Sequence, residues 1–254
     1  MDKETIIRNF SRYAYTYDRY ANVQRRIAYE LLKLIKEDGI GKILEIGCGT
    51  GNYTLLLREK FSNAELKAID ISGKMIEVAS RKIKNKRIGF IVEDAESINL
   101  DENFDLITSN ACFQWFDNLS SAIIKYKNLL KKNGTILFSI FGPDTFWELN
   151  ISLKYIFRNI SLGASNFMAQ EEIKNILRKN FRKPEVKEAR YEESNSSLQD
   201  LLNKMKYTGI RGDGLNAKIV FSRGLLKKLE EIYLDKFKHI KVTYQIFFCK
   251  ALRE

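Results

Sequence analysis

One histidine, His239, and three cysteines in 254 residues leave few routes to acid-base or metal chemistry. A lone imidazole has no second one with which to share a metal or relay a proton, so Ser-His-Asp and metal-dependent catalysis are not expected and no metal is assigned. Cys48, Cys112 and Cys249 lie far apart and form no C-x-x-C pair, which argues against both a disulfide framework and a zinc site. No apolar run approaches the roughly 20 residues that cross a bilayer. The charged start, Met1-Asp2-Lys3-Glu4, lacks the apolar stretch of a signal peptide. A cytoplasmic enzyme without a membrane partner is expected.

What is present is an ordinary apolar fraction, 44%, enough for one well-filled core with an inserted subdomain. The formal charge of +11 is unevenly placed: residues 150–254 carry 21 Lys/Arg against 12 Asp/Glu, whereas residues 1–149 carry 22 against 20. Nucleic acid, an anionic membrane surface, an acidic protein or plain solubility would each account for such a field.

Residues 43–53 hold the strongest signal. Ile43-Leu44-Glu45-Ile46 reads as a buried strand, and Gly47, Gly49 and Gly51 make a tight turn into a helix near Asn52. Glycines there let the backbone pass close to a ligand and take φ > 0. A dinucleotide site needs G-x-G-x-x-G facing a pyrophosphate. Here the spacing is G-x-G-x-G, and Glu45 beside the turn would repel phosphate while suiting a cation. S-adenosyl-L-methionine, with sulfonium and ammonium charges, fits better than NAD.

Acidic residues recur at the ends of later strands. Residues 66–72 read as a second strand containing Asp70 and Ile71, with Asp70 placed 23 residues after Gly47, where a carboxylate accepts from two ribose hydroxyls. Residues 88–92 read as a third strand followed by Glu93, Asp94, Ala95 and Glu96, and Asp94 suits the exocyclic amine of adenine. Residues 104–109 give a fourth strand, and Asn110 opens its outgoing loop. This arrangement resembles the class I S-adenosylmethionine-dependent methyltransferases. The resemblance implies an α/β Rossmann-like fold with a seven-stranded sheet whose last strand is antiparallel. It also implies that Glu45, Gly47 and Gly49 hold the methionine part, Asp70 the ribose, and Asp94 with Ala95 the adenine, with Gly51, Ile71, Asn110 and Gln24 as further cofactor-binding candidates.

Residues 3–38 look helical. Their aromatic cluster suggests an N-terminal lid over residues 1–38, with Tyr17 and Gln24 pointing into the site. Lys131-Lys132-Asn133-Gly134 reads as a turn before a fifth strand at 135–141, and residues 145–157 as an added amphipathic helix. A helix at 170–180, a sixth strand at 184–192, helices at 197–206 and 221–237, and a closing strand at 240–252 complete the chain. The whole chain is expected to form a single methyltransferase domain, monomeric, with insertions at 142–168 and 195–237 folding together as a substrate cap.

A carboxylate acceptor is ionised at neutral pH and needs no general base, which agrees with the scarcity of base-activating groups. Buried beside the cofactor, such an acceptor needs a replacement for its hydration. Arg211, in the glycine-rich loop 208–214, is nominated as the carboxylate fork. The spacing of Phe10, Ala14, Tyr17, Asp18, Ala21 and Gln24 is similar to the N-terminal pattern of the malonyl-acyl-carrier-protein O-methyltransferases of biotin synthesis. So are residues 109–115, the segment around Met205-Lys206-Tyr207-Thr208-Gly209, and the ending Thr243-Tyr244-Gln245-Ile246-Phe247. That resemblance implies methylation of the free carboxylate of a malonyl thioester on an acidic acyl carrier protein; Arg211 and Tyr17 are the candidates for holding the substrate carboxylate. Lys204, Lys206, Lys218, Arg223, Lys227 and Lys228 are candidate docking residues. A small-molecule carboxyl methyltransferase of the trans-aconitate type is the alternative. A nucleic-acid partner is not expected, because the N-P-P-Y or D-P-P-Y tetrapeptide of base-amine methyltransferases is replaced by Asn110-Ala111-Cys112-Phe113.

Overall fold

The structure is a computed structural model that describes residues 2–36, 38–209 and 222–254. Seven strands form one sheet: β1 (Lys42–Ile46), β2 (Glu65–Asp70), β3 (Ile88–Val92), β4 (Phe104–Asn110), β5 (Leu130–Phe141), β6 (Glu185–Ser194) and β7 (Lys241–Leu252), in the order β3-β2-β1-β4-β5-β7-β6. The first five are parallel, and β7 runs antiparallel to both β5 and β6. Beyond Lys42 at its start, β1 is apolar on both faces apart from Glu45, as a central strand covered by helices on each side must be. The strand order reverses between β1 and β4, and the crevice at their C-terminal ends is where open α/β sheets bind ligands.

Helices cover both faces. Ile43, Leu66, Leu106 and Leu137 pack toward α3 (Asn22–Lys33), α4 (Asn52–Lys60) and α5 (Gly73–Lys82), whereas Leu44, Ile69, Ile107 and Phe138 pack toward α6 (Leu119–Leu129) and α8 (Gln170–Asn180). The expected continuous N-terminal helix is instead three pieces, α1 (Lys3–Tyr13), α2 (Tyr17–Tyr20) and α3. Asp2 caps α1 through its side chain, and Ala21, with φ −83° and ψ 43°, breaks the chain between α2 and α3. The break turns the aromatic residues of α1 and α2 toward the strand ends.

The tetrad at 131–134 is not a free turn. It is an irregular stretch inside β5, where the register with β4 shifts between Phe104 and Leu106 and Asn133 takes φ 62°. Beyond β5, α7 (Trp147–Ile156) packs on α10 (Arg223–Phe237) through a Trp147–Phe237 edge contact, and α9 (Leu198–Tyr207) lies against α2. The Thr243-Tyr244-Gln245 ending organises the loop after β5. Buried Glu148 accepts from the Thr243 backbone and hydroxyl, and Gln245 accepts from Asp144 N at 2.9 Å. Among the described residues, no helix is long and apolar enough to cross a membrane.

Candidate active site at the sheet crossover

A cleft opens over the C-terminal ends of β1, β2 and β4, where an open α/β sheet places its ligands. Its floor is the glycine turn. Gly47 N and Cys48 N both donate to Ile69 O, which brings the turn over β2, and Gly47 and Gly49 adopt φ 69° and 55°. A Cβ at Gly47 would collide with Cys112 Sγ, whereas nothing stands within 4 Å of the Cβ position at Gly49. Gly47 is therefore required by close packing and Gly49 faces open space.

Asp70 and Ile71 line the cleft at the end of β2. Asp70 accepts from Gly49 N at 2.9 Å and Ser72 N at 2.8 Å, which ties the glycine turn to the next strand. Burial raises its pKa to about 6 despite those two amides. Asp94 and Ala95 after β3 and Asn110 at the end of β4 also line the cleft. Asn110 accepts from Ser139 Oγ and donates to the carbonyl of Gln24, so Gln24 supports Asn110 through its backbone and is not among the lining residues. Tyr17 lines the cleft, and burial beside Asp18 and Asp70 pushes its phenol pKa up, leaving it a protonated donor at neutral pH.

Two nominated residues lie behind the lining. Gly51, φ 82°, starts α4, and a Cβ there would meet Ile83 and Ala79 of the α5 region, so its freedom serves helix packing. Glu45 is 1% exposed beneath the turn, and neither its Oε2 nor Thr54 Oγ1 has a hydrogen-bond partner among the described residues. Burial raises Glu45 to about pKa 8, and the neighbouring Asp70 charge adds to the rise. Arg211 and Lys218 lie outside the described residues. Lys204 is already paired with Glu193 and Asp200, and Lys206 stands over the rings of Tyr13 and Tyr207.

Several contributors had not been assigned a place in the site from the sequence. Lys3, Ile6 and Phe10 of α1 wall the cleft, together with Met75, Ala111, Cys112, Trp115 and Phe116. Ala111 holds φ 53°, a left-handed conformation that costs a non-glycine residue about 1–2 kcal/mol. Asp18 fastens α2 to the glycine turn and α5: one carboxylate takes Thr50 Oγ1, Asn52 Nδ2 and Lys82 Nζ. Gly209, φ 70°, lets the end of α9 touch Phe10, where a Cβ would lie 2.7 Å from the ring.

The residues fit a nucleoside bearing an amino-acid arm. Gly49 offers a cradle without side chains, Asp70 lies where a ribose would meet it, and Glu45 has a buried oxygen still lacking a donor. Strand order, glycine turn and strand-end acids together define a class I methyltransferase fold. The fold is shared with phosphoethanolamine N-methyltransferase 2 of Haemonchus contortus, solved with S-adenosyl-L-methionine (TM-score 0.61, 19% identity, 95% of this chain and 57% of that one). YcgJ of Bacillus subtilis superposes with a TM-score of 0.63 at 14% identity, over 90% of this chain and 98% of that one.

A family profile described as a methyltransferase domain matches residues 44–138. Malonyl-[acyl-carrier protein] O-methyltransferase 2 of Ilyobacter polytropus is 36% identical over 98% of this chain and 97% of its own length. The Priestia megaterium enzyme is 34% identical over 96% and 95%, and that of Acetivibrio thermocellus 32% over 100% and 95%. The chain belongs to the malonyl-[acyl-carrier protein] O-methyltransferase family.

Proposed function

We propose that this enzyme transfers a methyl group from S-adenosyl-L-methionine to the free carboxylate of a malonyl group carried by an acidic acyl carrier protein, forming the ester that primes pimeloyl synthesis for biotin. The observation that carries the reading is a single cleft lined both by acidic groups suited to a cationic nucleoside, Asp70 and Asp94, and by an uncharged phenol donor, Tyr17. Full-length similarity to enzymes named for that substrate supports it.

When bound, the cofactor supplies an electrophilic methyl on a positively charged sulfur. The rest is done by the chain. The turn at Gly47 and Gly49 receives the methionine part with Glu45 beneath it, Asp70 and Ile71 the ribose, and Asp94 and Ala95 the adenine. Phe10, Trp115 and Phe116 exclude water from the cleft, which strengthens the electrostatic contacts inside it. The acceptor carboxylate arrives ionised, so orientation by Tyr17 and Arg211 suffices and no base removes a proton. Residues 142–168 and 195–237 form the substrate cap, and residues 1–38 the lid. The enzyme acts in the cytoplasm as a monomer, and the excess of basic residues after residue 150 meets the acidic carrier.

Incubation with methyl-labelled cofactor and malonyl-carrier, succinyl-carrier, free aconitate or tRNA tests the assignment. Label is expected on malonyl-carrier and should be released by mild base, as an ester requires. Label on aconitate alone would favour a small-molecule carboxyl methyltransferase, and label on tRNA alone would overturn the carboxyl chemistry.

A further inference from the structure

The wall of the cleft that faces the adenine already contains an amino group from the protein itself. Lys3 Nζ lies 2.6 Å from Asp94 Oδ2 and 2.8 Å from Glu96 Oε2, with Asp117 Oδ2 at 3.9 Å. The other Asp94 oxygen, Oδ1, accepts from Glu96 N at 2.9 Å. Lys3 and Asp94 both line the cleft, so Oδ2 is the oxygen available to a ligand donor, and Lys3 holds it. Burial of Lys3 works against its charge, but the two carboxylates raise its pKa above the ordinary lysine value, so the ammonium persists at neutral pH.

We propose that Lys3 stands in for the exocyclic amino group of the adenine at Asp94 Oδ2 and thereby sets how tightly the cleft holds adenosyl ligands. The proposal rests on the cofactor placement given above. An incoming amino group and the lysine compete for one oxygen. Glu96 makes the exchange inexpensive, because it is fixed in place by Asp117 N at 3.1 Å and Asn118 N at 2.9 Å and keeps the ammonium paired after Asp94 is surrendered. The helix need not move for this: Ser11 Oγ remains 2.8 Å from Ser72 Oγ, and Ile6 and Phe10 stay in the wall while the lysine side chain swings. Methylated and demethylated cofactor carry the same adenine, so the competition weakens both and favours release of the demethylated product.

Calorimetric titration with S-adenosylhomocysteine tests the competition. Lys3→Met keeps the stem and removes the charge, and it should tighten binding about 3- to 10-fold, the scale of one partly exposed charge-assisted bond. Lys3→Arg should bind like the wild type. The gap between wild type and Lys3→Met should narrow as salt rises from about 0.05 to 0.5 M, because the ion pair is screened. An analogue with unsubstituted purine in place of adenine should bind wild type and Lys3→Met equally, since it never asks for Asp94 Oδ2. Unchanged or weaker binding of S-adenosylhomocysteine to a normally folded Lys3→Met overturns the proposal, and so does equal tightening of both ligands. Absence of binding to wild type would instead overturn the cofactor assignment.

Discussion

Replacing Glu45 by glutamine should stabilise the ligand-free enzyme and weaken its grip on the cofactor, two effects of opposite sign from one buried carboxyl. Burial raises the Glu45 pKa from 4.5 to about 8. The native state therefore keeps a proton that the unfolded chain releases between those two values. The contribution to stability is whole below pH 4.5 and lost progressively as pH rises toward 8. At pH 7 the loss is roughly 3 kcal/mol, taking about 1.4 kcal/mol per pH unit. Glutamine does not titrate, and its amide can donate to Thr54 Oγ1, which lacks a partner among the described residues. At roughly 2–4 °C per kcal/mol for a chain of this size, Glu45→Gln should melt about 6–12 °C above wild type near pH 7. The gap should nearly close by about pH 5. Thermal melts of both proteins across that range are the assay. S-adenosylhomocysteine, which keeps the ammonium, should meanwhile bind the variant at least about 10-fold more weakly, the value of a hydrogen bond to a charged group. Melting curves that run parallel in pH would show that Glu45 titrates normally and would refute the reasoning.

Asp18→Asn should loosen the hold of α2 on the glycine turn. Burial opposes ionisation of Asp18, but Lys82, Thr50 and Asn52 together hold its pKa below the usual carboxylate value, so its stabilisation is present above pH 3.8 and fades in acid below it. The group is partly solvated, so a loss of about 1 kcal/mol is expected, seen as faster hydrogen exchange over α1 to α3 with the sheet unchanged. Gly47→Ala should cost about 1–3 kcal/mol from the left-handed backbone alone and more from the collision with Cys112. Adding Cys112→Gly should restore the collision part only, as read by denaturant melts. Arg211→Ala should raise KM for malonyl-carrier about 10-fold or more while leaving cofactor affinity nearly intact, and equal losses in both would remove Arg211 from the carboxylate site.

Much of the architecture is legible along the chain because it depends on local patterns. Buried runs such as Ile43-Leu44-Glu45-Ile46 and Thr243-Tyr244-Gln245-Ile246-Phe247 have few resting places other than a sheet interior, and they lie in β1 and β7. The run of glycines after β1 is equally local, since φ > 0 is a property of single residues. Boundaries moved where tertiary pairing outweighed turn chemistry: Asn133-Gly134, a turn by composition, continues β5 because Arg253, just beyond β7, accepts from Asn133 N and donates to Gly134 O.

The site divides in the same way. Gly47, Gly49, Asp70 and Asp94 could be named in advance because each follows a strand end, and strand ends in a parallel sheet all face one crevice. By itself the sequence determined the class of fold, the cationic character of the ligand and the strand-end acids, all of which follow from residue type and spacing. Only the tertiary structure placed Glu45 beneath the turn, joined Asp18 to Thr50 and Asn52, and set Lys3 on Asp94 across 91 positions of chain. Those contacts depend on how α1 and α2 fold back over the sheet, and no periodicity within one segment records where a distant segment will rest.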